Sequence, residues 1–152
     1  MRELLSGDYG RYLAILVDRA EEGDHESWRM YTEEFKSLSQ AEKDYLMYST
    51  DFGDFRRCMK KRRVNALKFF LEHGGDPNYR YKNERYAVKS TLLEDAIPHP
   101  RDNCSDEEKA VSMELMRLLI KHGANVNPRY IKYSDEWHVW TPLTRAIQYN
   151  DF

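Results

Sequence analysis

Leu71-Glu72-His73-Gly74-Gly75-Asp76-Pro77-Asn78 and Ile120-Lys121-His122-Gly123-Ala124-Asn125-Val126-Asn127 are one pattern written twice, 49 residues apart. The match extends upstream, where Ala66-Leu67-Lys68-Phe69-Phe70 aligns with Leu115-Met116-Arg117-Leu118-Leu119. It also extends downstream, where Thr91-Leu92-Leu93-Glu94-Asp95-Ala96-Ile97 aligns with Thr141-Pro142-Leu143-Thr144-Arg145-Ala146-Ile147 at a shift of 50. Leu67, Phe70 and Leu71 follow i, i+3, i+4 spacing, as do Leu115, Leu118 and Leu119, so each copy predicts a helix with one apolar stripe. Gly74 and Gly123 stand where a helix ends in a left-handed residue. Thr91-Leu92-Leu93-Glu94 reads as a capping box opening the next helix. Thr141-Pro142 opens its counterpart with a capping hydroxyl and a proline whose missing N–H costs nothing in the first turn.

The repeated unit resembles the ankyrin repeat, whose signature is a helix, Leu-x-x-Gly-Ala-x-x-Asn, a loop, and Thr-Pro-Leu-x-x-Ala opening a helix. Residues 120–127 and 141–147 carry the resemblance most closely; the first copy departs at Gly75, Pro77 and Leu92. Phe55-Arg56-Arg57-Cys58-Met59 would serve as the first helix before residues 64–73. The resemblance implies an all-α fold, an ankyrin-type helical solenoid, and a function in binding proteins. The family unit is about 33 residues long, so the period here is expanded. The surplus falls in the stretches 78–91 and 127–141 and in the insertion Pro98–Asn103.

Those stretches are the most informative part of the chain. Residues 79–89 and 129–140 hold seven aromatics in 23 positions, against 13% aromatic residues in the whole chain. Tyr79, Tyr81 and Tyr86 alternate with Arg80, Lys82 and Arg85 around a polar Asn83-Glu84, and Trp137 and Val139 alternate after Ser134-Asp135. Period-two alternation around a polar turn predicts an extended β-hairpin finger in each. Tyr, Trp and Arg dominate interface hot spots, so Tyr81, Lys82, Arg85, Tyr86, Tyr130, Tyr133 and Trp137 are the candidate partner-binding residues. The competing reading packs these aromatics onto their own repeat, and Trp140, directly before Thr141, is expected to do so.

Residues 1–50 carry no repeat signature. Tyr9, Tyr12, Leu13, Leu16, Val17 and Ala20 follow helical spacing up to Gly23; Trp28, Tyr31, Phe35 and Leu38 suggest a second helix; Ser39-Gln40-Ala41-Glu42 is a capping box leading into Tyr45, Leu46 and Tyr48. The segment is read as a helical N-terminal cap, which a short solenoid needs. It holds six Lys and Arg against eleven Asp and Glu, whereas residues 51–152 hold 18 against 15. Residues 51–152 then comprise about two and a half repeats. The last is expected to be incomplete: residues 141–152 supply a first helix without its partner, so the chain reads as a fragment of a longer repeat protein, or one whose C-terminal end self-associates.

The remaining features mostly exclude. A chain of 152 residues with net charge −2 has no global basic field that demands a nucleic acid. No apolar run approaches the ~20 residues of a membrane span, so no membrane partner is expected. Met1-Arg2-Glu3-Leu4-Leu5-Ser6-Gly7-Asp8 lacks the apolar core of a signal peptide, and an intracellular location, cytoplasmic or nuclear, is expected. Cys58 and Cys104 are too few for a disulfide scaffold, and Cys58 reads as a buried thiol. His73 and His122 occupy equivalent helix ends rather than one site, and His25 lies between Asp24 and Glu26 near a helix start. No phosphate-loop, dinucleotide, nucleophile-elbow or zinc-protease motif is present, so no catalytic residue, cofactor or metal is expected and the chain is not read as an enzyme. Lys60-Lys61-Arg62-Arg63 is a candidate nuclear signal or polyanion patch, with a solvated turn as the plainer reading. The expected function is protein–protein binding along the concave face and the aromatic fingers. The alternatives are nucleic-acid binding by the basic run and fingers, or a targeting module of a larger enzyme.

Overall fold

The computed structural model describes residues 7–49, 54–82, 89–98 and 103–127. Within them the chain is mainly helical, with one two-stranded sheet. It divides into two compact units, Met1–Cys58 and Met59–Phe152.

In the first unit, α1 (Gly7–Glu21) buries Leu13, Leu16, Val17 and Ala20, the stripe its spacing predicts. The chain reverses at Gly23 and enters α2 (His25–Ser37), which packs against α1. Asp24 caps α2: its carboxylate accepts from the backbone N–H groups of Glu26 and Ser27, at 3.1 and 3.4 Å, and from the Ser27 hydroxyl at 2.7 Å. Tyr31, Phe35 and Leu38 are buried. Helix α3 (Gln40–Tyr48) opens with both halves of the capping box between Ser39 and Glu42. Helix α4 (Asp54–Lys61) begins in this unit, where Phe55 and Cys58 are buried and the Phe55 ring lies 5.6 Å from that of Tyr48.

The second unit contains the repeat. Helix α5 (Val64–Glu72) leads into the first Gly turn, strand β1 (Arg80–Lys82) pairs antiparallel with β2 (Lys89–Thr91), and α6 (Leu92–Ala96) and α7 (Asp106–Lys121) follow. Tyr81 stands opposite Ser90, with Arg80 opposite Thr91 and Lys82 opposite Lys89. Helix α7 packs against both α5 and α6. Thr91 caps α6 by accepting from the Glu94 N–H at 3.3 Å, and its hydroxyl lies 3.4 Å from the Glu94 carboxylate. Ser105 and Glu108 form a complete capping box at the start of α7, and three acids in its first turn suit the positive end of the helix dipole.

Both helix ends of the repeat are built alike, bond for bond. The Gly75 N–H reaches the Phe70 carbonyl at 2.9 Å, and the Ala124 N–H reaches the Leu119 carbonyl at 3.0 Å. The Gly74 N–H reaches Leu71 at 3.4 Å, and the Gly123 N–H reaches Ile120 at 3.0 Å. Paired bonds of this kind satisfy the orphan carbonyls of the last turn and require a left-handed residue after the cap. Gly74 and Gly123 supply it, with φ of +89° and +91°.

The second aromatic stretch, with Tyr130, Tyr133, Trp137 and Trp140, the helix expected over 141–152, and Arg85 and Tyr86 of the first stretch all lie outside the described residues. Among the described residues, no helix is long and apolar enough to cross a membrane.

Candidate functional site

The two Gly turns continue into matching Asx turns. The Asn78 N–H bonds to the Asp76 carboxylate at 2.8 Å, and the Asn127 N–H bonds to the Asn125 side chain at 2.9 Å. The copies are also joined. The Asn78 carboxamide accepts from the Asn125 N–H at 2.6 Å and donates to the Gly123 carbonyl at 3.2 Å. A side chain of the first turn thus clasps the main chain of the second through one donor and one acceptor. Two opposed bonds fix the turns in register better than either alone.

The base of the first aromatic stretch rises from this junction. Tyr79 and Tyr81 project to one side of the extended chain, their rings 6.1 Å apart and 24° from parallel, while Arg80 between them is exposed. Partial burial pushes the Tyr79 phenol above its usual pKa. The Tyr81 hydroxyl donates to the Asp95 carboxylate on α6. Tyr81 is therefore an anchor between the sheet and α6.

The basic residues from Arg56 to Arg63, of which the candidate patch is the second half, are split by the fold. Arg57 pairs with Asp18 at 3.2 Å in the first unit. Lys60 and Lys61 end α4 and are exposed. Arg62 takes a left-handed conformation, φ 54°, and its guanidinium donates to the carbonyls of Asp95 and Ala96, both at 2.9 Å. It thereby closes the C-terminal end of α6, where carbonyls lack helical partners. Arg63 is half-buried and stands at the N-cap position of α5 without a side-chain capping bond. Of the four candidate patch residues, two lysines face solvent and two arginines are drawn into the second unit.

His73 and His122 do the same local job. The ring Nδ1 of each lies within bonding distance of the carbonyl four residues back, Phe69 at 2.7 Å and Leu118 at 3.0 Å. A carbonyl only accepts, so Nδ1 carries the proton in both. His73 also stacks on the Phe69 ring at 4.0 Å. Cys58 is buried and unbonded to Cys104. No group of three or more His, Cys, Asp or Glu able to hold a metal ion occurs among the described residues, and Asp24 beside His25 is occupied with capping α2.

One polar pair was not anticipated. Asp54 is 6% exposed, and the fully buried Tyr31 hydroxyl donates to its carboxylate at 3.1 Å. Burial pushes the Asp54 carboxyl up to about 7, against the opposing pull of Arg57. Burial likewise pushes the Tyr31 phenol well above its usual range. The pair is enclosed, so it bears on stability rather than on an open reaction site. Its only sequence signal is an acid two residues after a phenylalanine, and nothing local distinguishes that from a surface acid.

Compared with known proteins, the chain matches no family model, no curated protein and no solved structure.

Proposed function

We propose that this chain is an ankyrin-type repeat module that binds another protein in the cytoplasm or nucleus and carries no reaction of its own. The observation that carries the reading is the doubled helix–Gly–Asx turn with its Asn78 clasp, which supports a stack of equivalent units. The anchoring of Tyr81 to Asp95 supports a first finger with a fixed base, and a pre-ordered base lowers the ordering cost of binding. Lys82, Arg85, Tyr86, Tyr130, Tyr133 and Trp137 are the proposed contacts, with Tyr81 positioning the first group. Nucleic-acid binding is the weaker reading because Arg57 and Arg62 are engaged within the protein.

The test is affinity capture with the wild-type chain and a Tyr86→Ala/Trp137→Ala variant, followed by titration of the captured protein. Hot-spot residues predict a loss of at least ~2 kcal/mol, about 30-fold in Kd, at unchanged melting temperature. Equal affinity for both chains would refute the finger assignment. Capture of nucleic acid alone, with affinity falling steeply as salt rises, would favour the second reading.

A further inference from the structure

The two copies of the repeat differ in one respect that their sequences do not explain. Ala66 and Phe70 of α5 are fully buried, and so are their counterparts Leu115 and Leu119 of α7. Leu67 and Leu71 of α5 are also buried, at 0% and 6% exposure. Their counterparts on α7 are not: Met116 is half-buried and Ile120 is 49% exposed, with Met113 beside it at 48%. All of these are apolar, so the difference lies in the neighbours. Helix α5 has α7 packed against it; among the described residues, nothing stands in the same relation to α7.

The turns repeat the asymmetry. Asn78 clasps the turn of the following copy, at Gly123 and Asn125. Asn127 holds the matching place in the second Asx turn and is exposed, and its carboxamide has no hydrogen-bond partner among the described residues. Val126 beside it is 45% exposed. An apolar strip and an open amide thus recur together, 49 residues after the pair that is filled.

We propose that the face of α7 bearing Met113, Met116 and Ile120, together with the Asn127 carboxamide, is a docking surface for a further helix–turn unit of the kind formed by residues 106–127. The occupant is specified by the filled copy. It is an amphipathic helix that covers the strip and ends in a glycine turn, whose carbonyl and N–H meet Asn127 as Gly123 and Asn125 meet Asn78. Self-docking of two α7 ends face to face does not satisfy this chemistry, because the Gly123 carbonyl and Asn125 N–H are already held by Asn78. This inference rests on the internal contact and stands apart from the finger assignment.

The test extends the full chain. Thr141 matches Thr91 at a shift of 50, so a copy of residues 103–127 joined after Phe152 continues the repeat in phase. The extended chain is expected to melt at least about 5 °C higher than the natural one, from burial of the strip. Asn127→Ala should be neutral in the natural chain and lower the melting temperature of the extended chain by roughly 2–6 °C. Asn78→Ala should lower both. An extended chain that melts no higher, or one indifferent to Asn127→Ala, overturns the proposal. If the extended chain does not fold, a synthetic peptide of residues 103–127 is titrated into the natural chain. Saturable binding abolished by Ile120→Asp and indifferent to Asn78→Ala supports the surface. No binding at millimolar peptide, or binding abolished by Asn78→Ala alone, which would mean exchange with the chain's own α7, overturns it.

Discussion

Replacing Asp54 with asparagine should stabilise the protein, and more so as pH rises. The carboxyl titrates near 3.8 when exposed and at about 7 in the fold, where burial disfavours its charge. Between those values the folded chain holds a proton that the unfolded chain releases, so stability falls as pH rises through that window. Each tenfold change in proton affinity is worth about 1.4 kcal/mol, which sets a ceiling of about 4 kcal/mol on the cost of Asp54 above pH 7 and well under 1 kcal/mol at pH 4. Relaxation around the charge and the nearby Arg57 reduce the ceiling. Asparagine keeps the shape and an oxygen to accept from the Tyr31 hydroxyl, without the charge. The expected result is a gain for Asp54→Asn that grows by about 2–4 kcal/mol between pH 4 and pH 8. Urea denaturation at pH 4, 6 and 8, followed by tryptophan fluorescence and helical circular dichroism, measures it. A variant that is destabilised at pH 8 relative to pH 4 would show that Arg57 holds Asp54 ionised and would refute the reasoning.

Gly123→Ala should cost about 1–2 kcal/mol in the same assay, because the added Cβ meets no atom within 4 Å and the penalty comes from φ of +91° alone. Arg62→Lys should cost roughly 1–3 kcal/mol, since both bonds come from the guanidinium Nη1 and the lysine side chain ends one bond short of that atom; full stability in the lysine variant would reduce that contact to a surface accident. Tyr81→Phe should speed amide exchange over residues 80–82 and 89–91 with little change at α7, as the anchor to Asp95 is lost; unchanged exchange in both strands would mean that the ladder holds without it.

The repeat was legible because its signals are local. His73-Gly74 and His122-Gly123 mark helix ends through backbone requirements carried within a few residues, and the Ser39 box declares itself over four. Helix α7 shows the limit of that approach. Ser105-Asp106-Glu107-Glu108 is a capping box as plain as the one at Ser39, yet the apolar stripe thins out before Val111, so the apolar pattern alone starts the helix late. The features that sequence missed all depend on partners far along the chain. Asp54 is buried by Tyr31, 23 residues away, and Tyr81 meets Asp95 across 14. Arg62 reaches carbonyls 33 and 34 residues on. In the sequence, Arg62 and Arg63 read with Lys60 and Lys61 as a single charged run, because charge is visible there and destination is not.

Both atoms that Asn78 grips in the second turn belong to the main chain. The grip itself therefore does not depend on the side chains of Ala124 and Val126, provided the glycine conformation and the Asn125 turn survive, whereas a single inserted or deleted residue would move both bonding atoms out of reach. Those two bonds set no such limit on the length of the stretch between the clasped turns. A chain built this way has rigid joints and negotiable spans: new sequence enters between the strands or after α6, and the spacing of the joints stays fixed. The Asn78 junction is accordingly where foreign sequence should not be inserted.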